Sequence, residues 1–158
     1  MAVQSIPDGY HSVTPYLIVR GGARALDYYK RAFGAEERFR MDGPGETIGH
    51  AELQIGDSII MLADENPAWN AKAPEAGVAP PVQLMIYVDD VDATFKRAVS
   101  AGGKETQPIK DQFYGDRSGT LTDPFGHVWT VATHIEDVPP EEMERRAAEY
   151  MKQRQASV

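Results

Sequence analysis

Two stretches of the chain, 13–63 and 82–133, carry the same succession of signals: strand, helix, then three strands. Few folds accommodate such an internal repeat, so it constrains the architecture more than any single motif. Val13–Val19 (VTPYLIV) reads as a strand, and Arg20-Gly21-Gly22 breaks it. Ala23–Phe33 places Ala25, Tyr29, Ala32 and Phe33 at helical spacing, and Gly34 stands where a helix-ending glycine belongs. Glu37–Met41 is a short strand before the Gly43-Pro44-Gly45 turn. Thr47–Ile55 and Ser58–Ala63 are strands joined at Gly56-Asp57.

The second half follows the same plan. Val82–Val88 is a strand, and Asp89 or Asp90 caps a helix running to about Ala101, with Val91, Phe95, Ala98 and Val99 on one face. Gly102-Gly103 ends it, and a loose strand follows near Thr106–Lys110. Arg117–Thr122 and His127–Thr133 then form a hairpin across Asp123-Pro124-Phe125-Gly126. Pro124 fixes φ near −65° and Gly126 takes the positive φ that closes the turn. The halves also share Tyr29-Lys30-Arg31-Ala32 and Phe95-Lys96-Arg97-Ala98 at matching places.

Between the halves, Asp64–Pro81 is rich in Ala and Pro and reads as a linker longer than most loops. Its Trp69 suits either a lid or a subunit seam. Pro139–Gln155 reads as a terminal helix with prolines in its first turn, acidic Glu141, Glu142 and Glu144 near its positive end, and a modest stripe of Met143, Ala147 and Tyr150 or Met151. The whole reads as a single domain over 1–158: module 1 at about 10–63, linker 64–81, module 2 at about 82–135, and the helix at 139–155.

A net charge of −8 argues against nucleic acid, which needs a basic footprint, and leans toward neutral or cationic small molecules. No cysteine means no disulfide and no thiolate ligand, which fits a cytoplasmic setting. The opening MAVQSIPDGYHSV has neither the basic nor the apolar region of a secretion signal. No apolar run approaches the 18 or so residues of a membrane span. There is no HExxH, GxSxG or phosphate-binding glycine loop opening a helix.

Several segments carry a family likeness: Thr14-Pro15-Tyr16-Leu17, Asp27–Ala35, Gly49-His50-Ala51-Glu52-Leu53, Ile60–Glu65, and Tyr114-Gly115-Asp116-Arg117 running into Asp123–Val138. With the doubled β-α-β-β-β order, they resemble the vicinal oxygen chelate superfamily, which includes glyoxalase I, the bleomycin- and fosfomycin-resistance proteins and the extradiol dioxygenases. The closer likeness is to its PhnB-like branch. The resemblance implies an α+β fold: two tandem modules forming cupped mixed sheets with helices on the convex side, plus a C-terminal helix, commonly as a homodimer. It implies little about the reaction, since this fold hosts many activities.

The superfamily places metal ligands on the first and last strands of each module. Those positions fall on Thr14, Ile60 or Met61, Gln83 and Thr130. Thr, an apolar residue, Gln and Thr do not make a site for a divalent cation, so no metal and no other cofactor is expected. Strand alternation offers a different pair. In Thr47–Ile55, Ala51, Leu53 and Ile55 face one way and His50, Glu52 and Gln54 the other, so His50 and Glu52 share one wall. Tyr16 falls with Thr14, and Gln83, Met85 and Tyr87 with one another, as mixed polar and apolar cup linings. Tyr114 and Arg117 sit at the mouth of the last hairpin, where Arg117 either clamps an anion or pairs with a neighbouring carboxylate. His127 borders a turn and reads as solvated, and His134, beyond the final strand, and His11, before the first, lack a spaced partner.

The expected function is binding of a small organic molecule in the cup, without metal. The alternative is a small-molecule lyase or isomerase with His50 and Glu52 as its acid/base groups. A third class, a partner-binding module, would show a filled cup and an exposed apolar patch.

Overall fold

The computed structural model describes residues 3–157; the outermost positions of the expected 1–158 domain, Met1, Ala2 and Val158, lie outside the described residues. The elements run β1 (Tyr16–Val19), α1 (Gly22–Phe33), β2 (Glu36–Asp42), β3 (Ile48–Ile55), β4 (Ser58–Asp64), β5 (Leu84–Tyr87), α2 (Val91–Ser100), β6 (Lys104–Asp111), β7 (Asp116–Thr122), β8 (Val128–His134) and α3 (Pro140–Ala156). They build two four-stranded mixed sheets of the same topology, β1-β4-β3-β2 and β5-β8-β7-β6. In each, the first strand pairs parallel with the last, and the other pairs are antiparallel.

Helix α1 starts where the end of β4 reaches it. The Asp64 carboxylate accepts from the backbone amides of Gly21 (2.8 Å), Gly22 (3.1 Å) and Ile48 (2.7 Å), satisfying donors that a helix start leaves open. A side chain at Gly22 would press a Cβ to 2.7 Å from that carboxylate and 2.8 Å from Ile48, so only glycine admits the cap. Asp64 therefore closes β4 instead of opening the linker. Gly34 ends α1 at φ 66°. Of the two possible caps of α2, Asp90 is the one used, accepting from Ala93 N at 3.0 Å.

The connection after Asp64 is tied down. Glu65 pairs with Arg20 at 2.9 Å and accepts from Ala73 N, Arg20 donates to Pro74 O, and Asn66 caps a short turn over Pro67–Trp69.

One core serves both modules. Leu17, Val19, Leu53, Leu62, Leu121, Trp129 and Val131 point from the sheets toward α1 and α2, where Leu26, Tyr28, Tyr29, Phe33 and Phe95 meet them. Tyr28 donates to Ala98 O on α2 at 3.0 Å, and Phe33 stacks against Trp129 with ring centroids 4.8 Å apart. The DPFG turn is part of this junction. Buried Asp123 accepts from Tyr29 Oη (2.5 Å), Trp129 Nε1 (2.9 Å), Phe125 N (2.8 Å) and His127 N (3.0 Å).

The C-terminal helix has no buried residue and attaches through Arg146 to Glu136 and Phe113 O, and through Tyr150 against the Phe113 ring. No helix is long and apolar enough to cross a membrane among the described residues.

Candidate functional site

The sheet faces turned away from the helices are open in the single chain, not enclosed as a cup. Side chains from Met85 at 45% to Tyr87 at 62% stand exposed on them, with Tyr16, Phe39 and Met41 between these values, while Ile59 on the first sheet is only 4% exposed. On the first sheet, pairing sets Tyr16, Met61, Glu52 and Phe39 in one row across β1, β4, β3 and β2. His50 lies one row along, opposite Met41. The alternation that sends Ala51 and Leu53 to the core turns His50 and Glu52 outward.

These side chains form a line. Tyr16 Oη lies 2.7 Å from His50 Nδ1, and His50 Nε2 lies 3.3 Å from Glu52 Oε1. All partners are satisfied when Tyr16 donates to Nδ1 and the imidazole carries its proton on Nε2, toward Glu52. Burial raises the Tyr16 phenol pKa, so this hydroxyl keeps its proton. The side chains of His50 and Glu52 are 22% and 23% exposed, accessible but partly shielded. The Tyr10 hydroxyl first, and then His50, hold the Glu52 carboxyl below the usual carboxylate range against its own burial. The Tyr10 oxygen is itself buried, and burial first, then the Glu52 carboxylate, pushes its pKa up to about 12.

Beside this line is a hollow of about 400 Å³ whose lining includes Tyr16, Ile18, Met41, Pro44, Asp64 and Trp69. Trp69 stands 74% exposed there. A larger cleft of about 910 Å³ lies at the seam of the modules, lined by Phe33, Ile60, Leu84, Met85, Tyr87 and Trp129 among others. It contains neither His50 nor Glu52, so the His50–Glu52 pair lies outside this larger cleft.

The remaining sequence-derived positions are scattered. Thr14 and Gln83 precede β1 and β5 rather than lying in them. Met85 and Thr130 are neighbours on the outer face of the second sheet, where the Thr130 hydroxyl pairs with Thr120 at 2.9 Å. Tyr114 lies in the β6–β7 turn against Phe113. Arg117 points to the helix side, held by both Asp92 oxygens and by Asp111 at 2.9 Å. Of the two roles open to it, the structure contains the carboxylate pairing.

The second sheet also carries a group that sequence reasoning missed. Tyr87 donates to Asp116 Oδ2 at 2.8 Å, while His134 meets Asp116 Oδ1 and Asp137 Oδ1, each at 2.8 Å. Asp116 is 3% exposed. Its hydrogen bond, then that of Asp137, raises the His134 pKa above the ordinary imidazole value. Hairpin register held the signal. Thr122 pairs with Val128, and counting outward from that pair brings Asp116 opposite His134.

Among the described residues, no three His, Asp or Glu side chains converge as a metal-ligand set. The residues at the superfamily's ligand positions do not fit a divalent ion. Thr14, Met61, Gln83 and Thr130 bring no charge, and Thr130 is already paired.

Residues 9–131 match the model of the Glyoxalase/Bleomycin resistance protein/Dioxygenase superfamily. The chain belongs to that superfamily. An uncharacterised protein of Mycobacterium bovis is 36% identical over 136 residues, covering 84% of this chain and 90% of that one. The Escherichia coli protein YjdN is 26% identical over 75% of this chain and 92% of its own. Among solved structures, TioX from Micromonospora sp. aligns at TM-score 0.64 with 30% identity, over 79% of this chain and 99% of its own. A PhnB protein from Bacillus cereus, titled a putative 3-demethylubiquinone-9 3-methyltransferase, aligns at TM-score 0.59 with 20% identity, over 78% and 99%. At that identity the likeness is one of glyoxalase-superfamily fold alone.

Proposed function

We propose that this glyoxalase-superfamily chain binds a small organic molecule on the outer face of its first sheet, at Tyr16, His50 and Glu52, without a metal. The line Tyr16–His50–Glu52 carries the reading: an oriented imidazole and an ionised carboxylate among half-exposed Phe39, Met41 and Met61. Apolar surface with a few fixed polar groups is the usual make-up of a small-molecule site. Gln83, Met85, Tyr114 and Thr130 belong to the facing wall in this reading. A second copy covers the open faces, so the protein works as a homodimer, in the cytoplasm. A lone 17.4 kDa particle in light scattering at micromolar concentration would argue against the dimer.

The test is a thermal-shift screen of small organic molecules, since a binder raises the melting temperature by mass action. Hits are expected to lose affinity in His50→Ala and Glu52→Gln. Hits indifferent to both would remove this face from the account. Dialysis against Zn²⁺, Ni²⁺ and Mn²⁺ is expected to leave far less than one metal per chain. Near-stoichiometric metal that disappears in Glu52→Ala would restore metal-assisted chemistry.

One observation favours a second reading, a lyase or isomerase. Tyr16 orients His50 through Nδ1 at 2.7 Å, while the longer 3.3 Å contact of Nε2 with Glu52 leaves that nitrogen to turn to a substrate, as a general acid/base needs. Glu52 would then take a substrate proton while the His50 Nε2–H polarises an oxygen. In that case His50→Ala lowers turnover of the identified substrate by roughly 10²–10⁴-fold. Binding with no turnover leaves the first reading.

A further inference from the structure

Between the connection 72–82 and β1 lies a hollow of about 440 Å³ that neither reading above uses. The connection is anchored at one end. Ala73 is only 3% exposed, Arg20 donates to Pro74 O, and a Cβ on Gly126 would come 2.8 Å from Pro74 Cβ, so this end packs against the DPFG turn. Beyond Pro74 the backbone closes only its own turn among the described residues, Val78 N to Glu75 O at 3.2 Å. Val78 and Val82 line the hollow yet stand 58% and 69% exposed.

The edge of β1 on this side has no strand partner. Met61 N donates to Pro15 O at 2.9 Å and Glu65 N to Val19 O at 3.0 Å, so the backbone groups of Pro15, Leu17 and Val19 face β4. Those of Tyr16 and Ile18 face the other way. One of them is taken. His127, solvated by its place in the sequence, is instead half-buried and brings Nε2 to 2.9 Å from Ile18 O. A carbonyl only accepts, so Nε2 carries the proton and the neutral ring keeps its lone pair on Nδ1. Among the described residues that nitrogen is not one of the buried polar atoms, so it is open to an incoming donor.

The other polar groups around the hollow are committed. Lys72 and Glu75 pair with each other at 2.6 Å, and the Tyr16 hydroxyl is engaged by His50. The prolines that line it, Pro15, Pro74, Pro80 and Pro81, have no N–H to offer. What remains is the His127 Nδ1 acceptor and the Ile18 N–H donor, on two residues already in contact. A hydroxyl can give to the first and take from the second, whereas a charged group would find no counter-ion.

We propose that this hollow is a second ligand site, separate from the His50–Glu52 pair. It takes a neutral, apolar molecule bearing one hydroxyl, which donates to His127 Nδ1 while the apolar body covers Val78 and Val82. At about 440 Å³ it falls within the roughly 300–1,000 Å³ of small-molecule pockets.

The probe is 2-naphthol, with 2-methoxynaphthalene as the control that has no O–H, each titrated calorimetrically into the full-length chain. Wild type is expected to bind 2-naphthol about tenfold tighter than the control, the scale of one hydrogen bond. His127→Leu should lower 2-naphthol to the affinity of the control, and unchanged binding of the control shows that the hollow is intact. Val78→Asp, at an exposed position, should weaken both probes at least roughly tenfold by setting a charge against the apolar body. No binding of 2-naphthol, equal binding of the two probes by wild type, or affinities unmoved in both variants would each overturn the proposal. His50→Ala should leave both affinities unchanged. A 2-naphthol site lost in His50→Ala and kept in His127→Leu belongs to the His50 face and overturns this one. A dimer that Val78→Asp splits in light scattering, with neither probe bound, would make the hollow a contact between copies and overturn it equally.

Discussion

Replacing Asp123 by alanine tests whether the DPFG turn joins the two modules or merely reverses the chain. The carboxylate accepts two hydrogen bonds from fully buried side chains, Tyr29 and Trp129, and two from the turn amides of Phe125 and His127. Alanine orphans all four donors. Phe125 and His127 are half-buried, so water can reach their amides, but nothing repays Tyr29 Oη and Trp129 Nε1. At about 1–3 kcal/mol per orphaned buried donor, the two side chains set an expected loss of about 3–5 kcal/mol, in line with breaking a buried charged contact. Asparagine should cost less, about 2 kcal/mol: its oxygen still serves the turn amides, but its NH₂ meets the Trp129 N–H, donor to donor. Tyr29→Phe removes one of the four bonds and should cost about 1–1.5 kcal/mol.

The assay is urea unfolding followed by far-ultraviolet circular dichroism, with equal slopes required before midpoints are compared. The expected order of damage is Asp123→Ala, then Asp123→Asn, then Tyr29→Phe. A loss under about 1 kcal/mol for Asp123→Ala, the range of an ordinary surface change, would refute the claim that this carboxylate organises the junction.

Asp64→Ala should destabilise by about 1–2 kcal/mol, the range of a lost helix cap, and hydrogen exchange at Gly21, Gly22 and Ile48 should rise ahead of the rest of the chain. Gly22→Ala should also destabilise, because its Cβ would sit 2.7 Å from that same carboxylate, and unchanged urea midpoints in both variants would dismiss the cap. The His134 pKa is raised in the folded state above the ordinary 6.5, so the stabilisation it brings is complete below about pH 6.5 and fades as pH rises through the folded value. A magnetic-resonance titration of the ring should give a midpoint above 6.5 that falls toward that value in Asp137→Asn, and a midpoint at or below 6.5 would contradict the two carboxylate contacts.

Much of this fold was legible because its signals are local. Helical spacing, a terminal glycine and apolar alternation located α1, α2 and the strands of both halves. Alternation alone put His50 and Glu52 on one face, where the structure has them together. What escaped depends on pairing between distant segments. Asp64 looked like the start of a Pro-rich linker; its role as a cap needs β4 laid beside α1, 42 residues away in sequence. Asp123 looked like a turn former, and nothing near it in sequence points to Tyr29, 94 residues earlier. Arg117 was read at the hairpin mouth, but strand alternation on β7 turns it with Leu121 toward α2 and Asp92. Tyr10 fell outside every periodic segment, so no pattern could weigh it.

The two modules share a topology but not a surface chemistry, and the difference bears on where a ligand would go. On the first sheet the histidine stands between a tyrosine and a carboxylate at half-exposed positions. On the second sheet the buried carboxylate stands between a tyrosine and a histidine, and that histidine is also engaged by Asp137, on the way to α3. Each ring nitrogen of His134 faces a carboxylate oxygen at 2.8 Å, contacts that favour the protonated ring and brace the end of β8. His50 needs only one proton to satisfy its partners, and that proton can be redirected to a ligand oxygen when Glu52 takes another donor. The same kind of triad is therefore a brace on one sheet and an adaptable pair on the other, which is why the first face carries the functional proposal.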